Sequence, residues 1–455
     1  MNSGERGLWQ DRSFWGHLST QFLGAFNDNL FKQLILLLAI SEVTSGNLQS
    51  SEKQDVDIQS IAMVIFAVPF ILLAGIAGFL SERFSKQRIF VWSKVAEIVV
   101  MLLGVLAFIL LNREALKDAS ASELIRTLIP LFIVLFFMGA QSSFFGPSKL
   151  GILPELFQSQ DLPKVNGMVV MTTFLSIILG MGVAGVILDG FGNKLWGPGM
   201  VCVGIAVFGT GTALLIRRVP VANAQLKFKP SSLGVAPEVR QNFGRDRTLL
   251  WAMIISCLFW GGGALVQMSI NSVGKQQLLI GHGNANTWTS LLAASIAIGI
   301  AIGSLLSGFL SGGRINVRLL RYGCCGIVLF MFLLSIPGSR DNHLLGYWGC
   351  FAAMLLLGAA TGLFYVPLQT FLQARPLDNI KGRILATTAM ANWIAILLCA
   401  LLYSVFDRII KTNEWPRSIL FAFTALLFLP IALCYHPDEK EMNRTQSEST
   451  EPTSI

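Results

Sequence analysis

The chain has 455 residues, of which 53% are hydrophobic and only 13% charged, with a mean hydropathy of +0.62. A soluble globule carries about 25% charged residues, so this composition excludes that class and calls for lipid as the solvent. Twelve helices of ~20 residues would use about 240 residues, close to the whole apolar share. Continuous apolar runs such as residues 34–40 (LILLLAI) argue against a transmembrane β-barrel, whose strands alternate apolar and polar residues.

In chain order, the polar opening MNSGERGLWQDR and the long apolar stretch behind it do not fit a cleavable secretory signal, and the chain is expected to keep its N-terminus. Apolar windows between polar breaks predict spans near 14–40, 59–80, 89–111, 127–146, 166–189 and 199–216. Six more follow near 249–272, 287–310, 319–336, 345–366, 384–406 and 416–435. With both termini cytoplasmic, 23 of the 34 Lys and Arg residues lie on or nearest the inner side, 10 on or nearest the outer side, and Lys32 well within the first span. That is the positive-inside bias, so the net charge of +8 reports topology and no nucleic-acid partner is expected.

The only long polar segment between spans, residues 217–248, carries seven basic residues against two acidic ones. It predicts a central cytoplasmic linker between a six-helix half at 1–216 and another at 249–435, with a polar cytoplasmic tail at 436–455. The halves echo each other. Gly78-Phe79-Leu80-Ser81 after span two recurs as Gly308-Phe309-Leu310-Ser311 after span eight, each followed by a short basic loop. Phe144-Phe145-Gly146-Pro147 after span four recurs as Phe364-Tyr365-Val366-Pro367 after span ten. Two related halves imply a secondary transporter worked by alternating access.

The stretch Gly78-Phe-Leu-Ser-Glu82-Arg83-Phe-Ser-Lys86-Gln-Arg88 resembles the cytoplasmic signature of the major facilitator superfamily, with Glu82 where Asp is usual and Ser85 where Gly is common. Three further stretches resemble the bacterial lysophospholipid transporter family: Phe22 to Asn29 (FLGAFNDN), Gly146 to Leu156 (GPSKLGILPEL), and Asn166-Gly167. The resemblance covers most of the chain. It implies an all-α, twelve-helix major facilitator fold in two pseudo-symmetric six-helix halves, in the bacterial inner membrane. It also implies a carrier or flippase that moves lysophospholipids inward, for re-acylation by an acyltransferase acting in trans. The alternative is a proton-coupled transporter of another amphiphile, a drug or a muropeptide.

Among polar residues, Asp28 lies mid-span, where an ionised side chain costs ~2.5 to 3.5 kcal/mol on insertion scales. Lys32 follows at i+4, on the same helical face and within reach of an ion pair. Asp28, Lys32, Asn27 and Asn29 are therefore candidate contacts for a charged headgroup, and the resemblance marks Asp28 as functionally important. In span seven, Leu258-Phe259-Trp260-Gly261-Gly262-Gly263 predicts a broken or bending helix, because each glycine weakens a helix by ~1 kcal/mol relative to alanine. Trp260 and Gln267 are its candidate substrate contacts, and some relatives in the family have arginine where Gln267 aligns. Gly78, Glu82, Arg83, Arg88, Lys149, Glu155 and Asn166 are candidate gating residues, with Lys149 and Glu155 expected in an irregular Gly- and Pro-rich element. Gly299-x-x-x-Gly303 and Gly358-x-x-x-Gly362 predict close helix packing.

No phosphate-cradling GxxxxGK[ST] loop is present, and no histidine has an aspartate five residues on, so neither an ATP-driven pump nor an acyltransferase is expected. No cofactor or metal is expected, and a monomer is. The seven cysteines read as small apolar residues. The four histidines, His17, His282, His343 and His436, are expected at span ends or in tails, in solvent.

Overall fold

The computed structural model describes residues 8–45, 58–111, 121–192, 194–228, 234–278, 285–339, 342–435 and 437–443. The chain is almost wholly helical. The first half contributes α1 (Arg12–Ser45), α2 (Ile58–Leu72), α3 (Ala74–Arg83), α4 (Lys86–Leu110) and α5 (Ala121–Gly151). The short α6 (Leu153–Leu156), α7 (Leu162–Phe191) and α8 (Trp196–Ala213) follow. Next come α9 (Pro237–Arg245), α10 (Arg247–Val273), α11 (Ala285–Leu310) and α12 (Val317–Ser335). A small antiparallel pair, β1 (Pro337–Ser339) and β2 (Asn342–His343), leads into α13 (Gly346–Ala374), α14 (Lys381–Thr412), α15 (Ile419–Cys434) and α16 (Glu439–Asn443).

Among the described residues, nine of these helices are long and apolar enough to cross a membrane, and the pair α2 and α3 makes a tenth crossing bent by 49°. Pro69 lies inside α2 four residues before the break at Leu73, and a proline removes a backbone donor and crowds the preceding turn. The other two predicted spans are α15, a shorter apolar helix, and α1, whose 34 residues carry Asn27, Asp28, Asn29 and Lys32 at their centre. Large apolar side chains such as Leu106, Ile109 and Leu110 on α4 are exposed. In a spanning helix such side chains face lipid.

The chain falls into two units, residues 1–152 with 176–234, and residues 153–175 with 235–455. Each has its own core. Leu30, Phe31, Leu34 and Ile35 of α1 pack with Met101, Leu131 and Leu135 in the first. Phe259, Leu320, Met354, Phe364 and Phe421 anchor the second. The helix pairing repeats between the units: α4 packs on α5 and α8 as α12 packs on α13 and α15. Likewise α2 packs on α5 as α11 does on α13, and α1 on α8 as α10 does on α15. The internal repeat read from the tetrapeptides is thus a repeat of packing.

Glycines set the closest helix contacts. A Cβ at Gly299 or Gly303 would stand 2.0 Å from a carbonyl oxygen of α13, and one at Gly358 2.0 Å from Ile296 O of α11. The Gly-x-x-x-Gly pairs therefore do pack backbone against backbone.

Three expectations are corrected. Helix α10 runs unbroken through Gly261–Gly263. A Cβ at Gly261 would meet Cys399 Sγ at 2.6 Å, and one at Gly262 would meet Phe428 at 2.4 Å. These glycines admit neighbouring helices, and that packing outweighs their poor helix propensity. Helix α5 likewise continues through Pro147 to Gly151, so Lys149 sits on a regular helix and the irregular element is confined to the break before α6. Finally, His17 is buried within α1 and His343 is buried within β2, each with a ring nitrogen on a backbone carbonyl. His282 and His436 lie outside the described residues.

Candidate substrate site

In the first unit, three helices bring charge together. Helix α1 supplies Asn27 and Asp28, and α4 supplies Lys94 and Glu97 one turn apart. On α5, Gln141, Phe145 and Lys149 at i, i+4 and i+8 share a face, with Ser142 beside them. Asn27, Lys94 and Glu97 are all no more than 2% exposed. Lys94 Nζ forms an ion pair with Glu97 Oε2, and Asn27 Nδ2 donates to Glu97 Oε1 at 2.8 Å. Lys94 Nζ also lies 4.8 Å from the centroid of the Phe145 ring, with Lys149 Nζ 5.9 Å from the same centroid. Such cation–π contacts help to hold a desolvated ammonium.

Asp28 accepts a hydrogen bond from Ser142 Oγ at 2.9 Å, and Ser142 Oγ accepts one from Gln141 Nε2 at 2.9 Å. Asp28 Oδ1, Asn27 Oδ1 and Gln141 Oε1 are buried acceptors with no hydrogen-bond partner among the described residues. The expected ion pair between Asp28 and Lys32 does not form. Asp28 turns to α5, and Lys32 carries its ammonium to 5.8 Å from the centroid of the Phe66 ring. Asn29 is also turned aside, donating from Nδ2 to Ala25 O in its own helix at 2.8 Å. His17 Nε2 donates to Lys149 O at 2.9 Å, which ties α1 to the end of α5.

Lys94 and Glu97 are the residues that sequence reading missed. Lys94 belongs to the tally of inner-side charges only by position, yet the structure buries it on α4. The available signal was two opposite charges three residues apart within a predicted span, which is costly in lipid unless paired or functional.

The second unit offers aromatic and amide groups. Phe259 and Tyr365 stack with centroids 4.2 Å apart and planes 9° off parallel. Trp260 Nε1 donates to Tyr365 OH at 3.2 Å, and Tyr365 OH donates to Gln369 Oε1 at 2.7 Å. Trp260 is half-buried and Gln267 exposed on α10. By the Phe-Phe-Gly-Pro and Phe-Tyr-Val-Pro register, Tyr365 and Gln369 are the counterparts of Phe145 and Lys149. By the Gly-Phe-Leu-Ser register, Cys324 and Ile327 are the counterparts of Lys94 and Glu97. The repeat keeps its packing, while at these paired positions only the first unit carries charge.

The other candidates make contacts of their own. Gly78 and Glu82 are buried in α3, Arg83 is half-buried and Arg88 exposed. The segment after α8 is stitched to them, because Asn223 N donates to Glu82 O at 3.0 Å and Ser85 Oγ to Val219 O at 2.8 Å. Glu155 is half-buried in α6. In the second unit, Asn166 is buried in α7 and donates from Nδ2 to Thr370 Oγ1 at 3.1 Å. A Cβ on the next residue, Gly167, would meet Ser304 O at 2.5 Å.

Residues 18–400 match the sequence model of the Major Facilitator Superfamily. The chain belongs to that superfamily. Among solved structures, this facilitator is similar to the E. coli fucose:proton symporter FucP, with a TM-score of 0.67 at 13% identity over 93% of this chain and 98% of that one. It is also similar to a bacterial homologue of the iron transporter ferroportin, with a TM-score of 0.61 at 13% identity over 90% and 98%. These likenesses show the fold. In sequence, the facilitator is 24% identical to the lysophospholipid transporter LplT of Serratia proteamaculans (strain 568), over 88% of this chain and 89% of the relative. It is 24% identical to LplT of Yersinia pestis (strain Pestoides F), over 88% and 87%. It is thus a multi-span membrane transporter with relatives named for lysophospholipid transport.

Proposed function

We propose that this facilitator moves lysophospholipids across the bacterial inner membrane, inward, for re-acylation by an acyltransferase acting in trans. The observation that carries the reading is the buried cluster of both signs around Asp28. A zwitterionic headgroup needs an acceptor for its amine and a cation for its phosphate, whereas a neutral sugar calls for no cation. Asp28 meets the amine, aided by the free acceptor of Asn27, while the ammoniums of the cluster, Lys32 included, serve the phosphate. Asn29 acts only in holding the same turn of α1. On α10, Trp260 and Gln267 are the second unit's contacts for the amphiphile. Relatives named for lysophospholipid transport support the substrate class.

Gating falls to the residues at the helix ends. Gly78, Glu82, Arg83 and Arg88, with Lys149, Glu155 and Asn166, set the balance between the two access states. In this reading residues 217–248 form a cytoplasmic linker between halves at 1–216 and 249–435, both termini are cytoplasmic, and one copy of the chain suffices. The test is uptake of labelled lysophosphatidylethanolamine, against its diacyl form, by cells carrying or lacking the gene. Equal uptake of the lyso form by both strains overturns the proposal. Cysteine labelling of the 217–248 segment from outside the cell would overturn the orientation.

A further inference from the structure

We infer that Lys94 is the seat of the substrate's phosphate and that Glu97 is the counter-ion the phosphate displaces. This rests on the reading of the chain as a lysophospholipid carrier.

Four observations point to it. First, the cluster carries three ammoniums, Lys32, Lys94 and Lys149, against two carboxylates, Asp28 and Glu97. Asp28 lies within electrostatic range of the other four, and Lys149 within range of Lys94. Lys94 and Glu97 are buried while Asp28, Lys32 and Lys149 are half-buried, and the formal excess of one positive charge in so partly desolvated a cluster favours an anion arriving with the substrate. Second, Lys94 is held in place from several sides. Its ammonium stands against the face of Phe145 and in a notch on α1, where a Cβ at Gly24 would come within 2.2 Å of Nζ. A cation that must exchange one anion for another benefits from such preorganisation, because its position does not depend on either partner.

Third, Glu97 has a second tether. Once a phosphate oxygen takes its place at Lys94, its other oxygen remains on Asn27 Nδ2, so the displaced carboxylate is not left bare. Asn27 directly precedes Asp28 on α1, so the exchange at the phosphate end takes place beside the residue that meets the amine. Fourth, the repeat-related positions in the second unit are Cys324 and Ile327. The fold packs without an ion pair at this place, so packing alone does not call for one.

The experiment measures binding of lysophosphatidylethanolamine and of a monoacylglycerol with the same acyl chain to the purified full-length protein in nanodiscs, with thermal unfolding as a check on folding. Wild-type protein is expected to prefer the phosphate-bearing amphiphile. Lys94→Gln is expected to weaken that ligand at least ~10-fold, about 1.4 kcal/mol, and to leave monoacylglycerol unchanged. Glu97→Gln, which removes the competing anion, is expected to bind the phosphate-bearing ligand as tightly as wild type or more so. The double variant Lys94→Met with Glu97→Gln leaves no charge at the pair and keeps its volume, so it remains informative where the single lysine variant does not fold.

Loss of discrimination in the double variant supports the inference. Wild-type discrimination in it, or recovery of binding relative to Lys94→Gln, makes the pair structural and overturns the inference while the proposed function stands. Wild-type protein that binds neither amphiphile overturns the proposed function itself.

Discussion

Arg375 Nε donates to Asp246 Oδ2 at 2.8 Å, and both residues are buried. The pair ties the end of α13 to the start of α10. Asp246 uses its other oxygen, Oδ1, to accept from Leu249 N at 3.0 Å and so caps α10, while Arg375 Nη1 donates to Glu441 O of α16 at 3.0 Å. One guanidinium thus serves three elements of the second unit.

Removing it leaves Asp246 charged and buried. Loss of one partner of a buried pair costs about 3 to 5 kcal/mol. Arg375→Ala is therefore expected to lower the thermal unfolding temperature of the purified protein clearly. Asp246→Asn, which keeps a side-chain oxygen for the cap, is expected to cost less. Equal melting of Arg375→Ala and wild type would contradict the role of the pair.

At the α11–α13 crossing, Gly303 faces Ala359 O so closely that Gly303→Val has no room. Overpacking typically costs about 1 to 3 kcal/mol, and a lower unfolding temperature is the expected outcome. At Gly204 on α8 a Cβ would meet no atom within 4 Å, so Gly204→Ala is expected to melt at or slightly above wild type.

His343 gives a pH dependence outside the spanning helices. Nε2 donates to Leu334 O at 2.8 Å and Nδ1 accepts from Leu345 N at 3.1 Å, an arrangement that only the neutral ring can make. Burial holds its pKa below the ordinary 6.5, against a smaller opposing effect of the Leu334 carbonyl. Well above 6.5 both folded and unfolded forms are neutral. As pH falls through and below 6.5 the unfolded chain takes up a proton that the folded chain does not, so stability declines. Thermal unfolding followed downward from about pH 7 is expected to show this slope, and His343→Gln to lack it.

Asp28→Asn is expected to reduce lysophosphatidylethanolamine uptake at least ~10-fold while leaving the protein folded, because Ser142 can still donate to the amide oxygen. Lys32 makes no ion pair with Asp28, so Lys32→Gln is expected to be mild for folding, and the Asp28→Asn, Lys32→Gln double variant to recover no uptake. Recovery would mean that the two act as a self-neutralising pair.

The sequence by itself determined the helices, the transporter class and the repeat. Those are local signals: an apolar run of span length declares itself without knowledge of its neighbours, and Gly78 to Ser81 returns at Gly308 to Ser311 in plain view. Partnership is a different matter. Helical spacing put Lys32 on the face of Asp28, but side chains with several rotatable bonds settle on whichever distant helix offers a donor or a ring, here Ser142 and Phe66. Glu97 found Asn27 across 70 residues of chain, and Gly261 and Gly262 became packing surfaces because Cys399 and Phe428 arrived beside them. Only the tertiary structure could decide these, since desolvation inside the bundle makes each buried charge choose the nearest satisfied geometry over the nearest neighbour in sequence.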